Sequence, residues 1–191
     1  TEIFRSLLGG GTLFLCGNGG SAADCEHMAG ELLKGFLSLR PLRDARREKL
    51  KAVCTATDAQ YLSSNLQMGL RAVSLVSHPS LATAMANDVA ADLIFAQQLN
   101  ALGRSGDVLM AISTSGNARN VVLAAAVARS LDMKVVALTG RGGGNLHRYA
   151  DVLIDVEEEE TFKVQELHLP VYHALCAMLE TSILNNADNT L

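Results

Sequence analysis

Apolar residues along this chain come in short continuous runs, separated by stretches where they recur every three or four positions. Runs of that kind read as strands buried on both faces, and the stretches between them as helices laid over a sheet. Thr12–Cys16 is the first such run. Gly17-Asn18-Gly19-Gly20 follows and has the backbone freedom for a sharp reversal. A helix is expected from about Ser21 to Phe36, with Ser21 as N-cap and Asp24 as the acidic half of a capping box. Before it lie only eight helix-like residues, TEIFRSLL, and the glycines at 9–11. A charged helical segment over about Asp44–Val53 leads into polar residues around Asp58–Asn65, and Arg71–Ser77 reads as a second strand. A short helix from about Pro79 ends near Asn87-Asp88, and another spans about Ala91–Leu102. Gly103–Asp107 is a turn, Val108–Ile112 a third strand and Asn117–Leu131 a helix. Strand Lys134–Leu138, a Gly-rich loop over Thr139–Asn145, strand Asp151–Val156 and a long helix over about Thr161–Leu184 complete the chain. Pro170 should kink that last helix.

Alternating strands and helices predict an α/β fold: one domain over residues 1–191, a three-layer α/β/α sandwich with a doubly wound, mostly parallel five-stranded sheet. Composition agrees, being 49% hydrophobic with 4% aromatic residues and no Trp, so Ala, Leu and Val must fill the core. A net charge of −4 offers no basic stripe for nucleic acid. The Lys and Arg between Arg40 and Lys51 are mixed with Asp44 and Glu48 and read as a solvated helix. Cys16, Cys25, Cys54 and Cys176 show no CxxC spacing, and Cys16 and Cys176 sit in apolar runs as reduced core residues. No apolar run approaches the roughly 18 residues of a membrane span, and the expected location is the cytoplasm.

In such sheets ligands bind beyond the carboxyl ends of the strands, and two polar clusters fall there. Asn18–Ser21 follows the first strand and Ser113-Thr114-Ser115-Gly116-Asn117 the third. Free N–H groups and the positive end of a helix dipole suit an anion such as phosphate. Taken alone, STSGN reads equally well as an N-cap and turn; its duplication of the first junction favours the anion. His27 and Glu31, four apart, share one helix face and make an acid/base pair. Gly17-x-Gly19-x-x-Ala22 formally fits a dinucleotide fingerprint. That pattern also needs an acidic residue roughly 20 positions on, and Phe36–Pro41 has none, so no nucleotide cofactor is expected. Singly, Glu31 reads as a solvated helix residue and His27 and His173 as core histidines, with His168 either their support or part of the core.

Four motifs together, CGNGGSAADCEHMAGEL, MANDVAAD, AISTSGN and KVQELHLPVYH, resemble the SIS-domain phosphosugar isomerases, and among them the phosphoheptose isomerases, over about Leu13 to Glu180. The resemblance implies a flavodoxin-like topology and the isomerisation of sedoheptulose 7-phosphate to D-glycero-D-manno-heptose 7-phosphate through an enediol. Glu31 matches the family's general base and His173 its general acid. Asn18, Gly19, Gly20 and Ser21 match the first sugar-phosphate loop, Ser113, Thr114 and Ser115 the phosphate loop, and Asn87 with Asp88 a substrate-touching pair. His27, Glu31, Gln165 and His173 match positions that hold zinc in some members, although a carboxylate bound to zinc is a poor proton acceptor. The resemblance also implies a homotetramer with active sites between subunits, in which His173 works with Glu31 of a neighbouring chain.

Three departures stand out. Ala118 replaces a hydroxyl residue after the phosphate loop, about 25 residues are inserted near 38–70, and the family's long N-terminal helices are missing, as in a fragment of a longer chain. The rival class is a non-catalytic SIS protein that binds a sugar phosphate, or the replication initiator DnaA, as a regulator. Glu31 and His173 together argue against it, since a retired enzyme has no reason to keep both.

Overall fold

Strands Leu13–Cys16 (β1), Ala72–Ser74 (β2), Val108–Ser113 (β3), Lys134–Thr139 (β4) and Val152–Asp155 (β5) form one sheet in the order β2-β1-β3-β4-β5. Each neighbouring pair runs parallel. This is the flavodoxin-like winding, and its direction reverses between β1 and β3, where such sheets open a crevice. The structure is a computed structural model that describes the backbone of residues 2–190 and the side chains of residues 2–185. Thr1, the first of the eight helix-like residues, lies outside the described residues.

Helices are Glu2–Leu8 (α1), Gly20–Leu33 (α2), Asp44–Val53 (α3), Ala56–Asn65 (α4), Pro79–Asp88 (α5), Ile94–Leu102 (α6), Arg119–Ser130 (α7) and Thr161–Thr190 (α8). Period-two alternation along the strands sorts the core into two layers. Leu13 and Leu15 of β1 and Met110 and Ile112 of β3 face Met28 and Leu32 of α2 and Tyr172 and Cys176 of α8. Phe14, Cys16, Leu109 and Ala111 face the other way, onto Phe95 and Leu99 of α6 and Ala124, Ala125 and Ala128 of α7. Small Ala side chains let α7 approach the sheet closely, which is how a core almost without aromatic residues fills. All four cysteines are free, and burial pushes the Cys176 thiol up to about 12. Among the described residues no helix is long and apolar enough to cross a membrane.

Several boundaries differ from expectation for local reasons. The N-cap of α2 is Gly19, at φ 56°, so Ser21 is a buried residue of the first turn and no side chain caps the helix. Helix α2 stops at Leu33 rather than Phe36, because Lys34 is extended and the chain turns away toward α8. Residues 58–65 are helical: Thr55 accepts a hydrogen bond from the Asp58 N–H at 3.1 Å and donates to its carboxylate at 2.8 Å, and Ala59 anchors the helix. Leu75–Ser77 leaves the sheet, and Ala91–Leu93 is a separate 3-10 turn before α6. Helix α8 runs on through Pro170. In the segment 38–70, α3 packs on α4, and an antiparallel bridge between Pro41 and Gln67 closes its base. Helix α3 buries none of its residues, as a solvated helix should, yet Arg40 just before it is buried.

Candidate active site

Beyond the carboxyl ends of β1 and β3, the two predicted loops stand side by side. The amides of Asn18 and Asn120 exchange hydrogen bonds at 2.8 and 2.9 Å, which ties the first loop to the first turn of α7. Asn120 also accepts from the Val121 N–H at 3.0 Å, a helix-start role that Ala118, the N-cap without a hydroxyl, cannot fill. Loop 113–117 is braced from behind by the loop after β4. Gly140 N–H bonds Thr114 O at 2.9 Å, Leu146 N–H bonds Gly116 O at 3.0 Å and Asn145 N–H bonds Asn117 Oδ1 at 3.0 Å. Gly116, at φ 66°, meets Gly143 so closely that a Cβ would stand 2.0 Å from its carbonyl oxygen. Ser113 is buried, whereas Ser115 is open to solvent and receives the Asn117 N–H.

Helices α2 and α8 lie together, and their facing turns gather the chemistry. Gln165 rests on Gly20, where a Cβ would come within 2.5 Å of its Nε2. Two turns further, the His27 and His173 rings meet edge to face at 5.0 Å. His27 Nδ1 bonds the Tyr172 hydroxyl at 2.8 Å, leaving Nε2 facing Glu31 Oε1 at 3.4 Å. The other Glu31 oxygen accepts from Lys34 Nζ at 3.0 Å. His173 Nε2 is buried with no hydrogen-bond partner. His173 thus sits beside the His27–Glu31 pair of its own chain. Asn87 and Asp88 stand apart at the exposed end of α5, bonded to each other at 2.7 Å.

Electrostatics here run opposite to a simple expectation. A desolvated base should have a raised pKa, but the Lys34 hydrogen bond, with help from His27, holds the Glu31 carboxyl below its ordinary value against a smaller effect of burial. Burial raises Asp24, partly offset by His27 and by the Tyr172 hydroxyl. Burial, reinforced by Asp24, pushes Tyr172 up to about 12, so its hydroxyl keeps its proton and bridges Asp24 and His27. His168 is fully buried under β4, and desolvation lowers its pKa, so it belongs to the core.

Of the donors named above, the two imidazoles and the carboxylate are ordinary zinc ligands, whereas the Gln165 amide is an uncommon one. The orphaned His173 Nε2 and the anchoring of His27 through its far nitrogen both fit a ligand role. Among the described residues, however, no three His, Cys, Asp or Glu side chains are gathered closely enough to hold an ion. A concavity of about 970 Å³ lies elsewhere, between α3 and α4 and lined by Leu39, Arg47, Lys51, Gln60 and Leu66. The acid/base cluster is only partly exposed: 45% of the His27 side chain and 18% of Glu31 reach solvent, while His173 Nε2 is buried.

Comparison with known proteins decides the family. A phosphoheptose isomerase of Thiobacillus denitrificans is 42% identical over 185 residues, which cover 95% of this chain and 80% of that protein. The chain belongs to the phosphoheptose isomerase family. Another phosphoheptose isomerase, from Akkermansia muciniphila, is 36% identical over 178 residues, covering 93% of this chain and 80% of its own. The SIS domain family model matches residues 49–140. Phosphoheptose isomerase GmhA from Neisseria gonorrhoeae superposes with a TM-score of 0.75 at 37% identity, over 94% of this chain and 82% of that one. The Vibrio vulnificus NanR protein complexed with ManNAc-6P shares the fold, at 18% identity and a TM-score of 0.56.

Asn120, Tyr172, Asp24, Lys34 and Phe36 touch the candidate site residues or their neighbours, a role that sequence reasoning does not assign them. For Asn120, its place in the first turn after the phosphate loop was the available signal. For Tyr172 it was the adjacency to His173.

Proposed function

We propose that this protein interconverts sedoheptulose 7-phosphate and D-glycero-D-manno-heptose 7-phosphate, the ketose–aldose step that supplies heptose for lipopolysaccharide or other glycoconjugates. The observation that carries it is the His173 ring of α8 set against His27 at 5.0 Å, with His27 facing Glu31 at 3.4 Å, on the helix that starts at one of two strand-end loops suited to an anion. Helix geometry places His27 roughly 10 Å along α2 from Gly20, comparable with an extended seven-carbon phosphosugar. The phosphate belongs at Ser113, Thr114 and Ser115 with the loop N–H groups, and the sugar hydroxyls at Asn18, Gly19, Gly20, Ser21 and Gln165, with Asn87 and Asp88 outside this single-chain arrangement.

The reaction moves one proton between C1 and C2 and another between the two oxygens. Glu31 takes the carbon-bound proton from C1 and returns it to C2, passing through the enediol. His173 donates to the carbonyl oxygen and accepts from the neighbouring hydroxyl. Tyr172 and Asp24 hold the His27 ring against Glu31. The residues that would hold a zinc ion are His27, Glu31, Gln165 and His173, which would have to draw closer than they stand in the single chain, and the ion would supply electrostatic stabilisation of the enediolate oxygens. Elemental analysis of protein purified without chelators should find zinc, reduced in His27→Ala; a zinc-free active enzyme would remove the metal from the proposal.

An enediol must be kept from water, and in a single chain 45% of the His27 side chain is still exposed. Leu33, Leu37 and Met178 are exposed by 54%, 70% and 64% at the end of the same helix layer. Both facts support a homotetramer in which a second copy closes each site. Light scattering at micromolar concentration should return four times the chain mass, and a monodisperse active monomer would refute it. The function itself is tested by adding sedoheptulose 7-phosphate and following the heptose product by NMR. Product formation is expected; binding without turnover would make the protein a sugar-phosphate sensor instead.

A further inference from the structure

Glu180 is a carboxylate, 3% exposed, that does not touch the proposed substrate site. It accepts three successive backbone N–H groups, from Phe36 and Leu37 at 2.8 Å each and from Ser38 at 3.0 Å. It also pairs with Arg40 at 3.3 Å, a guanidinium likewise 3% exposed. Arg40 in turn donates to the carbonyl of Glu31 at 3.3 Å and of Leu32 at 2.9 Å, in the last turn of α2, the Leu32 carbonyl also receiving the Leu70 N–H at 2.9 Å. Glu180 lies two turns beyond His173 on the same face of α8. Phe36, whose N–H it binds, lays its ring on His173 at 5.5 Å and 34°.

We infer that Glu180 and Arg40 are positioning residues for the isomerase: their buried pair sets the Phe36 ring against His173 and locks the Glu31 turn of α2 to α8. The inference rests on reading Glu31 and His173 as the acid/base pair. Neither Glu180 nor Arg40 reaches the Glu31 carboxylate or the His173 ring, so they act through backbone and packing. A buried charge pair does this better than an apolar contact, because it is directional: the Glu180 carboxylate fits three consecutive N–H groups, and Arg40 Nη2 reaches the end of α2 while Nε faces Glu180 and, like Nη1, is buried without a hydrogen bond. Apolar side chains in the same place would hold α2 against α8 while letting them slide. Sliding by an ångström separates the two groups that must share one substrate, and displacements of that size cost up to about a hundredfold in rate.

Glu180→Gln tests it, assayed well below its melting temperature. The turnover number should fall about tenfold or more while KM changes less than about threefold, the mark of a lost transition-state arrangement rather than lost binding. The His173 Cε1–H resonance, identified by its absence in His173→Ala, should shift as the Phe36 ring moves. Phe36→Leu leaves the Glu180 clamp intact and serves if Glu180→Gln does not fold: it too should move that resonance and lower the turnover number. A folded Glu180→Gln, or a Phe36→Leu, with wild-type turnover and an unmoved His173 resonance would overturn the inference. Glu31→Gln and His173→Ala, run alongside, separate the two levels. If they are inactive while Glu180→Gln is normal, the positioning role alone fails. If they remain active, the acid/base reading fails and the positioning role falls with it.

Discussion

Two helix pairs in this molecule make an instructive contrast. Helices α3 and α4 are neighbours in the chain, yet α3 buries no residue, and its ion pairs, Lys51 with Glu48 at 2.7 Å and Arg47 with Asp44 at 3.8 Å, stay in solvent. Helices α2 and α8 come from opposite ends of the chain, yet they share a cluster of aromatic and imidazole rings, and a buried ion pair between Arg40, in the segment after α2, and Glu180 of α8 ties the end of α2 to α8. Arg40 and Arg47 belong to the same basic stretch, but Arg40 is buried between Glu180 and the end of α2, while Arg47 is half-exposed with its ion-pair partner Asp44 in solvent. Charge composition is identical for the two; the partner brought in by the fold makes the difference. The chemistry lies on the pair that the fold must assemble, and the pair formed locally carries the open concavity.

The contrast is broken most severely at the acid/base pair. Glu31→Gln or His173→Ala should lower kcat/KM by about 10²–10⁴ with the fold intact by circular dichroism, since that is what a positioned proton-transfer group contributes. Next comes the clamp. Arg40→Ala leaves Glu180 buried without its counter-charge and should cost about 3–5 kcal/mol in urea unfolding. A loss below about 1 kcal/mol would mean that the pair is as solvated as those on α3. The third effect is on pH. Lys34 keeps Glu31 ionised by holding its carboxyl below the ordinary value, and the base works only when ionised, so activity falls as pH drops through that pKa. Lys34→Met removes the main lowering influence and should move the acid limb of the kcat/KM profile to higher pH. Lys34 is 58% exposed, so the displacement should shrink in high salt. The smallest effect is expected on α3, where Lys51→Ala should change stability by no more than about 0.5 kcal/mol.

How much of this is legible in the sequence follows from how local each feature is. Continuous apolar runs at Leu13–Cys16 and Val108–Ser113 announce buried parallel strands, and the glycines and hydroxyls after them mark where the crevice opens. Gly19 takes the capping place expected of Ser21 because its positive φ starts the helix earlier, leaving Ser21 inside the turn. The helix at 56–65 hides in polar residues, since one capping threonine and a single buried alanine suffice to hold it. Contacts that shape the site span the whole chain: His27 with Tyr172 across 145 positions, Phe36 with Glu180 across 144, Asn18 with Asn120 across 102. Periodicity records which face of a helix is apolar, not which distant helix it meets, so Arg40 and Glu180 read as ordinary surface charges. The resemblance to a family was what pointed from Glu31 to His173.

Solvent exchange tests the central claim most directly, because it isolates the proton transfer assigned to Glu31 from product release. With sedoheptulose 7-phosphate in D₂O, the wild-type protein should wash deuterium into the C1 position of the ketose, and Glu31→Gln, still binding the sugar phosphate, should not. Exchange by Glu31→Gln at the wild-type rate would contradict the account, because the base would then lie outside the α2–α8 cluster.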